Sequence, residues 1–224
     1  MRISELSRRS GVPVATIKYY LREDLLPKGE AVSTTQADYS EAHLHRLRLV
    51  RALVEVAEVP LARIRAVLAA LDDPGLDLHT VLGTAIFAMS PAPEDRPGDP
   101  DWDRAADQTA ELLAELAWRI TPGSPARAQL TQALAAMQAL GRPATPEMLR
   151  GYAAAAHQAA RLDVACIDPE APREEALLYA VSLSALMEQS LGALRRLAQE
   201  DVSAARFGAA APGAQGREPG TEPR

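Results

Sequence analysis

Residues 10–20 read SGVPVATIKYY and decide the fold of the first third of the chain. Gly11 allows the positive φ that ends a helix, and Pro13 lets the next helix begin without losing a donor that it needs. Apolar residues before the turn supply a core face: Ile3, Leu6 and Val12. The pattern predicts two short helices joined by a glycine turn. This is a helix-turn-helix, and it makes DNA the first candidate ligand.

The second predicted helix has one apolar and one polar face. Ile17 and Leu21 have the spacing of a buried stripe, with Tyr20 partly in the core. Four side chains that pair well with phosphates and base edges face outward: Thr16, Lys18, Tyr19 and Arg22. A plain solvated face is the alternative, but two adjacent tyrosines favour DNA contact.

The segments that follow complete a small domain. Leu-Leu-Pro at 25–27 ends the helical pattern, and the polar segment 28–38 suits a wing, with turn residues at Gly29 and 33–35. Ser40 predicts the N-cap of a third helix with a broad apolar stripe. A fourth helix begins at Pro60 and is ended by Asp-Asp-Pro-Gly at 72–75.

The charge of the chain is divided unevenly. The net charge of the whole chain is −6, which by itself argues against a nucleic-acid partner. Residues 1–71 nevertheless hold 11 Lys and Arg against 8 Asp and Glu, and the rest holds 13 against 22. Phosphate attraction depends on the local face, because charges are screened within about 8 Å at physiological salt. A local excess of three is modest and predicts binding by two protomers.

The rest of the chain is rich in alanine and leucine, which favours close-packed helices. Helical patterns cover about 77–89, 101–120, 124–140, 145–162 and 173–200, and a proline-rich segment lies at 91–100. The predicted fold is all-α with a possible short β wing. We divide it into a DNA-binding domain at 1–75, a connecting helix and linker at 76–100, an all-helical effector-binding and dimerisation domain at 101–207, and a disordered tail at 208–224.

Composition excludes several classes of protein. The 224 residues are 47% hydrophobic and contain one cysteine, Cys166, so neither an internal disulfide nor a multi-thiolate metal site is expected. We find no run of about 18 apolar residues and no signal-peptide core, which predicts a cytoplasmic protein without a membrane segment. His43 and His45 point to different sides of a helix, and His79 and His157 stand alone, so we expect no metal and no cofactor. Nucleotide-loop and nucleophile-elbow motifs are missing, which makes an enzyme the least favoured class.

Residues 1–71 resemble the winged helix-turn-helix domain of MerR-family transcriptional regulators. The resemblance rests on Arg-Ile-Ser-Glu-Leu at 2–6, Ser-Gly-Val at 10–12, Thr-Ile-Lys-Tyr-Tyr at 16–20, Leu-Leu-Pro at 25–27, Tyr-Ser at 39–40, the 44–53 helix and Ile-Arg at 64–65. It implies a homodimer on a two-fold symmetric promoter site, with RNA polymerase as a partner and effector binding that twists the promoter. It also implies that Thr16, Lys18 and Tyr19 lie at the major groove, and that Tyr39 and Arg46 lie near backbone phosphates.

Two departures from the family pattern matter. Lys18 stands where the family usually has arginine, and lysine lacks the bidentate fork that reads guanine or clamps a phosphate. The wing reads Gln-Ala-Asp-Tyr at 36–39 instead of the usual Tyr-Arg-x-Tyr, so an arginine contact is lost and Lys28 is the expected substitute. The family's long dimerisation helix is not evident after Met89. The long helix from about Arg173 is apolar over more than half its circumference, so we place the dimer contact there.

The second half is similar only in architecture to the helical ligand-binding domains of TetR-type regulators. Scarce large side chains in this alanine-rich background are candidates for an apolar effector pocket: Trp102, Trp118, Met148, Tyr152, His157, Tyr179 and Met187. Ordinary core is the alternative for most of them. The sequence thus predicts a dimeric DNA-binding regulator with a small-molecule effector. A ligand-independent architectural or partner-recruiting protein is the alternative, and an exposed groove instead of a closed cavity would favour it.

Overall fold

The computed structural model describes residues 1–33, 36–91, 96 and 98–208. Its first two helices are α1 (Ile3–Ser10) and α2 (Val14–Arg22). Gly11 ends α1 with φ +71°, and its backbone N–H donates to the carbonyl oxygen of Ser7 at 2.9 Å. The predicted helix-turn-helix is confirmed.

Two short strands follow α2 and form the wing. Strand β1 (Glu30–Ser33) pairs antiparallel with β2 (Gln36–Asp38), and Glu30 lies opposite Asp38. Of the predicted turn residues, Thr34 and Thr35 lie outside the described residues. Gly29 precedes β1 where the backbone passes close to the base of the wing. A Cβ there would lie 2.6 Å from the carbonyl oxygen of Asp38 and 3.0 Å from the Tyr39 ring, so only glycine fits without a shift.

Three more helices complete the first core. Helix α3 (Glu41–Arg51) continues into a π-helical turn (Ala52–Val56), and α4 (Leu61–Asp72) and α5 (Leu78–Met89) follow. Large side chains from all these elements are fully buried together, including Leu6, Ile17, Leu47, Leu53 and Ile64. One prediction is corrected: Tyr20 is buried in this core, whereas Leu21 is only half-buried. Helix α2 is therefore oriented so that Tyr20, and not Leu21, packs fully into the core.

The next three helices surround a smaller core. Helix α6 is Pro100–Leu116, α7 is Pro125–Ala139 and α8 is Pro146–Ala165. Their shared apolar core includes Ala105, Leu112, Leu134 and Leu149. Within it the hydroxyl of Thr131 donates to that of Thr109 at 3.2 Å. Of the predicted proline-rich linker, residues 92–95 and 97 lie outside the described residues.

The sequence misplaced the end of α6. The predicted helix extended to Ile120, but Ala117 adopts φ +50° and ends the helix after Leu116. This left-handed conformation caps the helix, so Trp118 lies outside it. The buried positions of α6 are Trp102, Ala105, Thr109 and Leu112, whereas Ala117 and Ile120 are exposed. A search for apolar residues at helical spacing does not detect this buried face, because one of its members, Thr109, is polar.

The last helix, α9 (Arg173–Phe207), is longer than predicted. Its beginning belongs to the first core, because Leu177 and Val181 are fully buried there. Contacts divide the chain into two compact units, Met1–Leu186 and Met187–Arg224. Within the second unit, the α9 side chains from Met187 onward are almost all exposed. Most of the predicted tail, residues 209–224, lies outside the described residues.

Candidate nucleic-acid interface

An open cleft of about 940 Å³ lies between the outward face of α2 and the wing. Cationic side chains line it from three places: Lys18 and Arg22 on α2, Lys28 before β1, and Arg2 before α1. Lys18, Arg22 and Lys28 are all exposed. The tertiary structure thus gathers the cations of three separate segments beside the helix that the sequence predicted to contact DNA.

Nearby arginines outside the cleft are paired with carboxylates. Arg8 donates two hydrogen bonds to Glu5, and Arg9 donates two to Glu41. The hydrogen bond from Arg9 lowers the pKa of Glu41 below its usual value. Within the described residues, Lys18, Arg22 and Lys28 have no carboxylate partner within 4.0 Å. Asp24 also lines the cleft, but three of its four cationic side chains have no carboxylate partner, so the cleft can attract a phosphate backbone.

The predicted α2 residues do not all occupy the cleft. Lys18 and Arg22 line it, whereas Thr16 and Tyr19 are half-buried on α2 and are not among the lining residues. The Arg22 guanidinium lies over the Tyr19 ring, 5.9 Å from its centroid. The Tyr19 ring is also tilted against the Tyr20 ring at a centroid distance of 6.0 Å. Tyr19 thus links the exposed cation to the buried tyrosine and restrains the position of Arg22.

Tyr39 fixes the base of the wing. Its backbone N–H donates to the Met1 carbonyl oxygen at 2.8 Å, and the Met1 amino group donates to the Tyr39 carbonyl oxygen at 2.6 Å. The Tyr39 ring meets the His43 ring edge to face, with centroids 5.3 Å apart. Tyr39 is 8% exposed, and burial raises the pKa of its phenol. The ring still borders the cleft, so Tyr39 joins the wing, α1 and α3 at one edge of it.

Arg46 has a different environment from the one predicted. Its side chain is 11% exposed and forms ion pairs with Asp72 at the end of α4 and with Glu174 at the start of α9. The Nε donates to Glu174 Oε1 at 2.6 Å, and both terminal nitrogens donate to Asp72. Burial by itself would lower the pKa of Arg46, but the hydrogen bonds to the two carboxylates outweigh burial and raise it. This placement argues against the expected phosphate contact.

The replacement Arg46→Ala distinguishes these two roles. It should reduce the free energy of unfolding by about 1 to 2 kcal/mol, because it leaves Glu174 partly buried without its partner. The dependence of DNA affinity on salt concentration should stay unchanged. Denaturant unfolding and DNA titrations at several salt concentrations measure the two effects. If the slope of the logarithm of DNA affinity against the logarithm of salt concentration fell in magnitude by about one, with unchanged stability, Arg46 would be a phosphate contact after all.

Arg2 is the one cationic residue of the cleft that was not predicted from the sequence to bind DNA. Arg2 lines the cleft and lies 3.7 Å from Asp38 of β2. A single arginine before a predicted helix is common, and nothing local distinguishes it. Its position beside the wing depends on the pairing of Met1 with Tyr39 across 38 residues.

The predicted effector residues are brought together only in part. Trp118 and His157 meet edge to face, with ring centroids 5.4 Å apart, and line an open cleft of about 530 Å³. Trp102 is buried in α6. The remaining four are exposed on helical surfaces: Met148 and Tyr152 on α8, and Tyr179 and Met187 on α9. Within the described residues, no three His, Cys, Asp or Glu side chains are placed to hold a metal ion.

The helix-turn-helix and its wing define a winged DNA-binding domain. The family model described as MerR HTH family regulatory protein matches residues 1–71. A solved structure, SCO5550 from Streptomyces coelicolor A3(2), is 40% identical in sequence with a TM-score of 0.72, and the match covers 94% of this chain and 99% of that one. SCO5550 is provisionally assigned as a transcriptional regulator. No curated protein matches the chain significantly.

Over residues 1–71, the chain belongs to the MerR family of helix-turn-helix regulatory proteins. It is a DNA-binding transcriptional regulator, and the sequence resemblance over residues 1–71 is confirmed. The all-α fold with a short β wing is confirmed as well.

Proposed function

We propose that the protein binds a two-fold symmetric promoter site as a homodimer, with one α2 helix in each of two successive major grooves. The cationic cleft between α2 and the wing is the observation that carries this proposal. Lysine and arginine side chains on both sides of a cleft suit a phosphate backbone that runs beside the groove. RNA polymerase at the same promoter is the partner that follows from a regulatory role.

The proposed DNA contacts are divided between bases and backbone. Thr16, Lys18 and Tyr19 are proposed for the major groove because they lie on the outward side of α2. Arg22, Lys28, Tyr39 and the added Arg2 are proposed for phosphates, since they border the cleft on the α2 and wing sides. Arg46 is left out because carboxylates already occupy its guanidinium.

We assign the dimer contact to α9. Within the second unit, Met187, Leu191 and Leu194 follow the spacing that places side chains on one helical face, and they are 40%, 50% and 62% exposed. Leu197 and Val202 extend this apolar stripe. A second copy of the same helix would cover such a self-complementary stripe, as two-fold symmetric dimers require.

A membrane is the other environment that suits an apolar helix. Among the described residues, α9 is long and apolar enough to cross one by length and composition, with a mean hydropathy of 1.3 over 18 residues. Soluble helices pass the same test, and the beginning of α9 is packed in a protein core through Leu177 and Val181. We therefore favour a protein partner for the stripe and a cytoplasmic location for the regulator.

A small organic effector in the helical part of the chain completes the proposal. We keep the proposed domains at 1–75, 76–100 and 101–207. Val81 of α5 and Leu177 of α9, which lie outside the first of these, nevertheless pack in the first core. The second candidate is a partner-recruiting protein that needs no effector. Open clefts and the exposed apolar side chains of α8 and α9 favour it. An unchanged operator affinity across a metabolite panel, together with a bound protein partner, would support this candidate.

Selection of DNA by the full-length protein tests the proposed function. We expect duplexes recovered from a random pool to converge on a two-fold symmetric sequence with half-sites separated by whole turns of the helix, about 10 base pairs each. Light scattering on the complex should give two chains per site. Recovery of unrelated sequences, or of single half-sites bound by one chain, would contradict it.

A further inference from the structure

We infer that the cleft formed by Trp118, Arg119 and His157 binds a planar aromatic carboxylate, and this inference deepens the effector part of the proposed function. The cleft lies where the chain leaves α6 and passes α8. Six residues line it: Ala117, Trp118, Arg119, Ala156, His157 and Ala160. Its volume of about 530 Å³ falls in the range of small-molecule sites, roughly 300 to 1,000 Å³.

The shape of the cleft suits a flat ring. The planes of Trp118 and His157 meet at 79°, which leaves a corner between two aromatic surfaces. A flat ligand can stack on one surface and present its edge to the other, which are the two arrangements that aromatic pairs prefer. The small side chains of Ala117, Ala156 and Ala160 line the rest of the cleft together with Arg119. Trp118 remains 36% exposed, which leaves part of the indole open to a ligand.

The charge of the cleft suits an anion. Arg119 and His157 are its titratable lining residues, and the lining contains no carboxylate. The carboxylate of Glu115, near the end of α6, already accepts a hydrogen bond from Arg150 at 2.7 Å. No ion pair of Arg119 occurs among the described residues. A guanidinium next to an indole surface can hold a carboxylate through two parallel hydrogen bonds while the ligand ring stacks.

The backbone at Ala117 places these groups. Its left-handed conformation, with φ +50°, turns Trp118 and Arg119 out of the α6 direction. A non-glycine residue in this conformation costs about 1 kcal/mol or more relative to a helical one. The same turn brings Trp118 against a histidine that is 39 residues away in the sequence.

The test uses 2-naphthoate as the probe, with the uncharged 2-naphthamide and the non-aromatic cyclohexanecarboxylate as matched compounds. Binding is measured by calorimetry on the full-length, DNA-free protein and by the NMR signals of the two indole N–H groups. Trp118→Phe assigns these signals. We expect 2-naphthoate to shift the Trp118 signal and to leave that of the buried Trp102 unchanged. Each matched compound should bind about tenfold more weakly than 2-naphthoate.

Two variants locate the site. Arg119→Gln should weaken 2-naphthoate about tenfold and leave 2-naphthamide unchanged. Ala160→Phe should abolish binding by filling the cleft without changing its charge. Arg142→Gln, an exposed arginine elsewhere in the helical part, is the control and should bind 2-naphthoate like the parent protein. Circular dichroism verifies that each variant is folded.

Any one of four outcomes would overturn the inference. The Trp118 signal could fail to move, the amide could bind as tightly as the carboxylate, or Ala160→Phe could bind 2-naphthoate unchanged. A fourth, in which Ala160→Phe disrupts the dimer and 2-naphthoate does not bind, would assign the cleft to a second copy and also overturn it. Operator binding is measured on the same samples without ligand. If the parent protein binds its operator but 2-naphthoate does not bind at Trp118, this inference alone is refuted. If 2-naphthoate binds at Trp118 but the parent protein selects no operator, the proposed DNA function alone is refuted.

Discussion

The double replacement Lys18→Ala and Tyr19→Ala should reduce the affinity for the selected operator by about a hundredfold or more. Each good side-chain contact with a base edge contributes about 1 to 3 kcal/mol, and the tyrosine also restrains Arg22. Lys18 is exposed and Tyr19 half-buried, so the fold should survive. Fluorescence anisotropy on the selected duplex at physiological salt measures the loss.

Two controls separate loss of recognition from loss of charge or of fold. Arg142→Ala removes one positive charge from an exposed site outside the first core and should leave operator affinity within about twofold of the parent value. Thermal unfolding of the double variant shows whether the core around Ile17 is intact. A folded double variant that retains operator affinity would exclude α2 from the major groove.

The second large effect is expected at the apolar stripe of α9. Replacing Leu191 and Leu194 together by aspartate should convert the dimer into a monomer, since charged side chains would have to be buried without partners. Affinity for the two-fold symmetric operator should then fall by about a hundredfold or more. A monomer lacks the gain from binding both half-sites at once. Sedimentation velocity and operator titration measure the two effects.

The opposite face of the same helix provides the matched control. Gln199 and Ser203 lie roughly half a turn away from Leu194, so the double replacement of these two residues by aspartate adds the same charge without entering the stripe. This control should remain a dimer. If it dissociates as readily as the leucine variant, added charge alone disrupts the dimer. A dimeric leucine variant would place the contact elsewhere, with α8 as the next candidate because of its exposed Met148 and Tyr152.

These substitutions are a better test than removing the second half of the chain. Deletion of residues 101–224 would also remove Leu177 and Val181, which are buried in the core of the DNA-binding part. Burial of two such side chains contributes several kcal/mol, about 1.5 to 3 each. Weak DNA binding by the truncated chain would then report an incomplete core as readily as a lost dimer.

The domain at the beginning of the chain could be predicted because its signals are local. These signals act within a few residues of each other: a glycine ends a helix, a proline begins the next one, and apolar residues follow at helical spacing. The positive φ of Gly11 and the bounds of α2 match these signals. Order and spacing of the same residues also identified the family of residues 1–71, which the family model supports.

The environment of single side chains was less predictable. Arg46 looked like a phosphate ligand on its own helix, but Asp72 and Glu174 come from 26 and 128 residues further along the chain. Ion pairs of this kind depend on which helices pack together, and a local sequence pattern does not predict that packing. Ala117 shows the same limit, because an alanine is an unlikely residue for a left-handed cap and gives no warning of one.

By itself, the sequence determined the helices, the winged domain, the family and the outward face of α2, because propensity, turn chemistry and periodicity are properties of short segments. Only the tertiary structure decided which cations border one cleft, that Arg46 is held between two carboxylates, and that Trp118 meets His157. It also decided that α9 begins inside the first core and continues as an exposed apolar helix. These outcomes depend on contacts between segments far apart in the chain. Local preferences do not distinguish between the possible arrangements, so packing and the pairing of buried charges determine which one forms.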